Sequence, residues 1–404
     1  SPSGCPGSPA LQGWEERAAA TRVSAMPTIR YNYRLRPGAQ ATDGLLREWD
    51  RCRWVWNQAV ERLKTNNEWV RDTALTAWRA EHDWLREGSV VAQQQMLRNF
   101  RAKRAKGKGK RKFKSGRKTL PSLGYTRRGF SIKDGRLCVA GGLIIPVVWC
   151  RELPSDPSSV RIYRDNLGHW YASFVVERDE QPLPDSDAVI GIDWGVKVVA
   201  TTTDETYDLA HPEFGRAAAK ELARRQRTQA RRRPAKGQRG SNGYLAAKLS
   251  AAKVSKRVAR QRRDTARKWA RSVVDNHGGI AVEDFKPAFL AKSRMARKAG
   301  DGGIGLTKAT LIEYAERAGR KVVLVKPAYT TMTCSGCGAR AKSRLLLSER
   351  VFVCRGCGAV ADRDRNAARV ILDRAGLNPA GAEAVRHSIP FEGRVLDEPG
   401  IPAL

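Results

Sequence analysis

Four cysteines and three acids carry the chemistry for which this chain can be read. Cys334 and Cys337, then Cys354 and Cys357, form two CxxC pairs with sixteen residues between them, and a glycine follows each pair in "CSGCG" and "CRGCG". Two pairs at this spacing offer four thiolates to one tetrahedral zinc ion, and the glycines let each knuckle turn tightly around sulfur. Four sulfur ligands leave no open coordination position, so the zinc read here is structural rather than catalytic. Cys5, Cys52, Cys138 and Cys150 are scattered and read as ordinary thiols.

The acids are Asp193 in "GIDWG", Glu283 in "AVEDF" and Asp364 in "DRDRNAA". Carboxylates are the hard oxygen ligands that suit Mg2+, and two such ions about 4 Å apart activate a water and stabilise the leaving oxygen in phosphodiester cleavage. Acids gathered without cations repel one another, so a cluster of them implies bound metal. Each motif alone has a plainer reading: a strand-to-turn junction, a surface acid, or a helix cap at Asp362. Arg363 and Arg365, beside Asp364, read as phosphate-steering groups or as solvated arginines.

These residues need elements to hold them. Asp193 ends the first of two apolar strands in "AVIGIDWGVKVVATTTD", and Glu283 ends the strand "GGIAVEDF". Alternation sends Glu283 and Asp284 to opposite faces. A glycine-rich loop "SRMARKAGDGGIGL", a helix "TLIEYAERAG" and a strand "KVVLVKP" continue an alternating α/β pattern, and Asp364 opens a last helix. Earlier, "MPTIRYNYRLRP" alternates as a strand up to Pro37 and Gly38. Leu46, Trp49, Trp54, Trp56 and Leu63 then make apolar stripes, so a short helical bundle is expected over residues 40 to 100, with its tryptophans in the core. From Ser131 to Glu177, hairpin signals at Asp134-Gly135 and Asn166-Leu167-Gly168 suggest a small antiparallel barrel, with the strand near Arg30 completing it.

Lys and Arg outnumber Asp and Glu 75 to 41, a net charge of +34 in 404 residues. Such an excess self-repels unless a polyanion neutralises it, which makes nucleic acid the leading partner. The charge is clustered: residues 98 to 118 carry twelve basic residues and no acid, and residues 216 to 271 carry twenty against two. The first run is expected to order only on a phosphate backbone, with Phe100 and Phe113 free to dock or stack; the second reads as a basic helical hairpin. Residues expected on nucleic acid are Arg101, Lys103, Arg104, Lys110, Arg111 and Lys112 in the first, and Arg224, Arg225, Arg231, Arg232, Arg257, Arg260 and Arg263 in the second. No apolar run approaches the roughly 18 residues that span a bilayer, so a membrane is not an expected partner. The segment before Met26 reads as neither signal nor anchor, Met26 as the start, and the compartment as a reducing cytoplasm.

An acid on a first strand, an acid ending a later strand and an acid opening a final helix is the RNase H-like order, and resembles a RuvC nuclease. Taken with "YNYRLRP...CRWVWNQAVERL", "GRKTLPSLGYTRRGFSI", "SVRIYRDNLGHWYASFVVE", "GIDWGVK", "VEDF", "GRKVVLVKPAYTTMTCSGCG" and "CRGCGAVADRDRNAARVIL", the chain resembles the TnpB family of transposon-associated RNA-guided DNA nucleases and the related compact type V CRISPR effectors. The likeness covers roughly Met26 to Gly376. It departs from the family in having Thr330, Thr331 and Met332 before the first cysteine, where Thr-Ser-Gln is usual, in "EDF" for "EDL", and in lacking a tryptophan between Lys286 and Leu311.

The resemblance implies an α+β multidomain protein: a helical recognition bundle inserted in a small antiparallel β-barrel, the wedge domain, followed by an RNase H-like α/β RuvC domain with an inserted zinc ribbon. On that pattern residues 1–25 are a flexible extension, 26–38 the first wedge strand, 39–119 the helical recognition region with its basic segment, and 120–180 the wedge barrel. Residues 186–328 are the first part of the RuvC domain, including the hairpin 216–275; 329–359 are a zinc-ribbon target-nucleic-acid-binding insert, 360–376 the final RuvC helix, and 377–404 a flexible tail. Asp193, Glu283 and Asp364 become the catalytic acids that bind two Mg2+ ions, Cys334, Cys337, Cys354 and Cys357 hold one structural Zn2+, and guide RNA is a required component. The activity implied is cleavage of double-stranded DNA beside a short flanking motif, first one strand and then the other, by a cytoplasmic, nucleoid-associated prokaryotic protein that is monomeric with its RNA. A compact type V CRISPR effector and a guide-dependent DNA-binding repressor that does not cut are the alternatives; a guide-independent nuclease or zinc-ribbon transcription factor would act as protein alone.

Overall fold

The computed structural model describes residues 28–105, 111–116, 119–178, 182–235, 237–343, 345–346, 349–377 and 395–396. The extension before Met26, Met26 itself, most of the tail from 377, and Lys110 lie outside the described residues, as do the side chains of Lys103 and Arg104. The chain divides into two compact units, residues 1–179 and 180–404.

In the first unit, β1 (Thr28–Leu35) leads into the helices α1 (Ala39–Thr65), α2 (Asp72–Glu81), α3 (Asp83–Arg86) and α4 (Val90–Ala105). Strands β2 (Ser122–Thr126), β3 (Phe130–Lys133), β4 (Arg136–Val139), β5 (Leu143–Val148), β6 (Ser159–Arg164) and β7 (Trp170–Glu177) follow. With β1 they form one antiparallel sheet in the order β2-β6-β7-β1-β5-β4-β3. The two edge strands, β2 and β3, are consecutive in the chain and joined through the short turn Arg127–Gly129, which leaves the sheet nearly closed. Alternation in β1 buries Tyr31, Tyr33 and Leu35. The expected barrel is thus a nearly closed sheet, and the helices interrupt it between its first strand in the chain and the next. Helix α1 buries Leu45, Trp49, Cys52, Val55, Trp56, Ala59 and Val60 at helical spacing, and each large apolar side chain so buried contributes ~1.5–3 kcal/mol.

Part of the first basic run is docked onto this bundle, contrary to the expectation of a free segment. Asn57 on α1 accepts from the Lys114 N–H at 2.7 Å and donates to the Lys114 carbonyl at 3.1 Å, and the Trp56 indole donates to the Lys112 carbonyl. Phe100 is fully buried rather than available for stacking, whereas Phe113 is half exposed, with the Lys64 ammonium 4.4 Å from its ring centre. A charge run that holds a backbone-binding asparagine partner and an aromatic lid can order on protein alone.

The second unit runs β8 (Val189–Trp194), β9 (Val198–Thr202), β10 (Leu209–Ala210), α5 (Phe214–Arg231), α6 (Asn242–Asn276), β11 (Gly279–Glu283), α7 (Ala296–Gly302), α8 (Ile304–Arg317) and β12 (Lys321–Val325). It ends with the short strands β13 (Arg340–Ala341), β14 (Val351–Val353) and β15 (Val360–Asp362) and the helix α9 (Arg363–Arg374). Its main sheet has the order β10-β9-β8-β11-β12, with β8 and β9 antiparallel and β8, β11 and β12 parallel. Every residue of the central strand β11 is buried, as a strand covered on both faces requires.

Residues 296–317 differ from the expected loop and single helix. They form two helices, α7 and α8, divided at Gly303, whose φ of 69° only glycine adopts without strain. Helices α5 and α6 form the basic hairpin, clasped through Ala218, Val254 and Val258, while Trp269, Ala270, Val273 and Val274 pack α6 into the core of the sheet. Among the described residues no helix is long and apolar enough to cross a membrane.

Candidate metal centres

The four cysteines come together in two matching knuckles. The Cys334 N–H donates to the Ala339 carbonyl and the Gly338 N–H to the Cys334 carbonyl; Cys354 repeats this with Ala359 and Gly358. Gly338 and Gly358 both have positive φ, 72° and 75°, which is the tight turn the sequence glycines suggested. The Gly336 and Gly356 N–H groups donate to the sulfurs of Cys334 and Cys354. Cys334 and Cys357 have sulfurs 3.7 Å apart, Cys337 and Cys354 3.5 Å, and all four sulfurs lie within 4.8 Å of one another. A zinc–sulfur bond of about 2.3 Å puts tetrahedral sulfurs roughly 3.8 Å apart, so the donor set fits zinc, whereas a disulfide would need about 2.05 Å. Burial pushes the Cys337 thiol up to about 12, whereas at Cys354 burial is outweighed by the N–H groups of Cys357 and Gly356 and the neighbouring thiols, which lower it; metal binding to the thiols would release protons.

Folding brings the three acids into one another's electrostatic reach. Asp193 at the end of β8 and Glu283 at the end of β11 are nearly fully buried on adjacent parallel strands. Asp364, in the first turn of α9, lies near enough to Asp193 for their charges to repel, and the helix start is capped by Asp362: its carboxylate accepts from the N–H groups of Asp364 and Arg365 at 3.0 and 2.9 Å. This cap is the role read for Asp362 from the sequence. The close approach of α9 depends on Gly191 of β8, because a Cβ there would lie 2.2 Å from the Ala368 carbonyl oxygen. A side chain at 191 would thus drive Asp193 and Asp364 apart.

Burial holds Asp193 well above the usual carboxylate range, and the negative charges of Glu283 and Asp364 push it the same way. Burial also raises Glu283 to about 7, against the opposing pull of the Thr330 hydroxyl and Lys308. Thr330 donates to Glu283 Oε1 at 3.4 Å, whereas the neighbouring Asp284 points outward to Lys308 at 2.8 Å. Buried carboxylates under mutual repulsion are a hard-ligand set lacking its countercharge, which fits Mg2+. They do not form a closed cage: among the described residues, the cysteines alone bring three or more potential ligand atoms within 4.8 Å of one another. Asp364 is instead turned to arginines, accepting from Arg350 at 2.8 Å and from Arg363 at 2.9 and 3.0 Å.

The arginines beside Asp364 are neither solvated nor aimed at an outside phosphate. Arg363 is buried against Asp364 and donates to the Leu346 carbonyl. Arg365 donates to the Thr202 carbonyl at 2.6 Å and to both oxygens of Asp208, and pairs with Glu205. The sequence reading missed Thr330, Arg350 and the helix residue Asn366. Thr330 keeps the first residue of the family's Thr-Ser-Gln triplet, which was a signal; Arg350 is one arginine in a chain crowded with them and gave none.

Residues 307–371 match the family model of the Cas12f1-like TNB domain, and residues 173–294 match OrfB_IS605, described as "Probable transposase". Over 299 residues the chain is 31% identical to a Streptomyces pristinaespiralis protein described as an RNA-guided DNA endonuclease, covering 71% of each. The chain belongs to the TnpB family. A second relative of this TnpB chain, Escherichia coli K12 InsQ, also carries the description RNA-guided DNA endonuclease and is 27% identical over 412 residues, 90% of this chain and 96% of InsQ. In fold, the TnpB chain matches a Cas12f1 chain from a cryo-EM structure of a Cas12f1–sgRNA–target DNA complex, with a TM-score of 0.52 and 13% identity, covering 88% and 99% of the two chains.

The basic residues expected on nucleic acid separate into two sets in this TnpB chain. Lys112, Arg224, Arg231, Arg260 and Arg263 are exposed. Others are engaged within the protein: Arg101 with Asp72, Arg225 and Arg257 with Glu221, Arg232 with the Gly243 carbonyl, and Arg111 with the Phe100 carbonyl and the face of Trp69. The barrel adds residues the sequence reading left out. Arg30, Arg34 and Arg161 stand on β1 and β6, and no carboxylate partner is found for them among the described residues; Arg30 and Arg161 are close enough to repel.

Proposed function

We propose that this TnpB protein is an RNA-guided DNA endonuclease with one RuvC-type active site, formed by Asp193, Glu283 and Asp364 on an RNase H-like sheet, and a structural zinc ribbon beside it. The observation that carries the reading is the burial of Asp193 beside Glu283 and Asp364, a concentration of acid charge that bound divalent cations would relieve. The strand order, an antiparallel pair followed by two parallel strands with the last helix against the first strand, supports the RuvC assignment. The names of the relatives and a net charge of +34 support guide RNA and target DNA as partners.

Asp193, Glu283 and Asp364 would hold the Mg2+. When bound, Mg2+ supplies an activated water and stabilises the leaving oxygen of the phosphodiester. The chain's own residues do the rest. Gly191 and the Asp362 cap set the approach of Asp364, Thr330 orients Glu283, and Asp284, bonded to Lys308, stays out of the site. Arg350 occupies Asp364 until a cation competes for that carboxylate. Exposed arginines of the α5–α6 hairpin and of the barrel face would hold nucleic-acid backbones, while base pairing to the guide reads sequence.

The test is cleavage of a matched DNA duplex by the purified chain with its guide RNA and Mg2+. Asp193→Ala and Asp364→Ala should leave guided binding intact and cut at less than about 1% of the wild-type rate. Cys357→Ser should loosen the ribbon and weaken target loading while guide RNA stays bound. Wild-type cleavage by Asp193→Ala, or equal loss of binding in Asp364→Ala and Cys357→Ser, overturns this division of labour.

A further inference from the structure

We propose that Asn366 is a positioning residue that makes the carboxylate site depend on the thiolate site, an inference that rests on the reading of Asp364 as a cation ligand. Asn366 lies two residues beyond Asp364 on α9 and is only 1% exposed. Its Oδ1 accepts from the Ser335 N–H at 2.9 Å, and its Nδ2 donates to the Thr333 carbonyl at 2.7 Å. Ser335 lies inside the first knuckle, between Cys334 and Cys337. The same side chain therefore grips the metal knuckle and the helix of the metal-binding acid.

The surrounding contacts make that grip a junction. At the far end of α9, Arg374 donates to the Ala328 carbonyl at 2.7 Å and to the Thr333 hydroxyl at 3.1 Å. Thr330, in the same segment, reaches Glu283. Residues 328–335 thus touch Glu283, hold the helix of Asp364 at two points, and supply Cys334 to the sulfur cluster. The Ser335 N–H points at Asn366 while the knuckle is closed by the Gly336 N–H on sulfur and the Gly338 N–H on the Cys334 carbonyl. Opening the knuckle leaves a buried amide without its partners, which is the costly direction for a hydrogen bond, and releases the start of α9 from its seat. Zinc at the ribbon then tunes how firmly Asp364 meets a divalent cation, and the amide carries that effect. Partners that orient metal ligands typically change affinity by tenfold or more when removed.

The experiment follows Mn2+ binding to the full chain through the electron paramagnetic resonance signal of free Mn2+, with Asp193→Ala as the blank, alongside zinc content and the Mg2+ dependence of guided cleavage. Asn366→Ala removes the junction from the helix side, and Ser335→Pro removes the same N–H from the knuckle side. Each should keep about one zinc per chain, raise the half-saturating Mn2+ concentration roughly tenfold, and shift the Mg2+ requirement of cleavage more than its rate at saturating Mg2+. The double variant should be no worse than Asn366→Ala alone, because Ser335→Pro removes a bond that Asn366→Ala has already broken. Wild-type Mn2+ affinity in the two single variants, or additive losses in the double, overturns the proposal. If Asn366→Ala sheds its zinc, Ser335→Pro decides alone, and unchanged Mn2+ affinity there is equally fatal. A wild-type chain without Asp193-dependent Mn2+ binding sinks the reading of the site, and the link with it.

Discussion

Asp364 and Arg365 are neighbours on one helical turn with opposite duties. Asp364 lies close enough to the buried Asp193 to repel it while its oxygens accept from Arg350 and Arg363, whereas Arg365 turns to the end of β9 and the Asp208 carboxylate, with four polar contacts that seat α9 against the sheet. Because its side chain is mostly buried, removing it leaves the Thr202 carbonyl and Asp208 poorly satisfied, a loss of about 1–3 kcal/mol. Arg365→Ala should therefore lower the melting temperature of the second unit by a few degrees and slow cleavage, while target affinity and its salt dependence stay at wild type. A shallower salt slope in that variant would mean that Arg365 does contact phosphate, against the internal network. Arg363 and Arg350 differ in kind, since both bond the Asp364 carboxylate itself.

At the level of elements, the helical bundle holds a charge where apolar packing would be expected. Glu48 on α1 is almost fully buried, accepts the Ser89 N–H at the start of α4, and faces Arg51, Arg79, the Cys52 thiol and the Tyr125 ring. Burial raises its carboxyl above the ordinary range, with the Ser89 bond and the two arginines opposing. A raised carboxyl binds its proton more tightly folded than unfolded, so the stability it contributes is complete below the unfolded value, near 4.3, and is lost as pH rises through the folded value. Glu48→Gln should accordingly gain melting temperature relative to wild type between about pH 4 and pH 8, in melts followed by circular dichroism. A constant difference across that range would show that the arginines fully compensate the burial. In the second unit the short strands around the cysteines have a small core among the described residues, Phe352, Cys334 and Cys354 with Ala339 and Leu345 against them, which suits a segment held by a metal.

Over the whole molecule the net charge of +34 makes polyanion binding salt-dependent. The exposed arginines 260, 263 and 267 of α6 bear on that term, because Arg257 on the same helix is engaged with Glu221. Replacing those three with alanine should weaken guide-RNA and DNA binding together, irrespective of sequence, and flatten the plot of log affinity against log salt by roughly two to three units if each meets a phosphate. Wild-type slopes in the triple variant would assign the backbone contacts elsewhere, the barrel arginines Arg30, Arg34 and Arg161 being next in line.

The candidate ligands of both proposed metal sites could be named from the sequence because metal chemistry restricts residue type and local spacing, and the fold gathers the four cysteines into one cluster. Two CxxC pairs with their glycines, and acids at strand ends and a helix start, declare themselves without any fold. The elements were legible for a related reason, since apolar period is a local property of the chain; the glycine-rich stretch before α8 was misjudged because packing carried the helices on to either side of Gly303. What only the tertiary structure decided is how far residues distant in sequence meet. Gly191 beneath Ala368 lets α9 approach β8, Asn57 pins Lys114, and Asn366 joins a knuckle to the helix that begins at Arg363. It also separated arginines locked into carboxylates and carbonyls from those left for a polyanion, because an arginine's role is set by the charge that folding puts beside it.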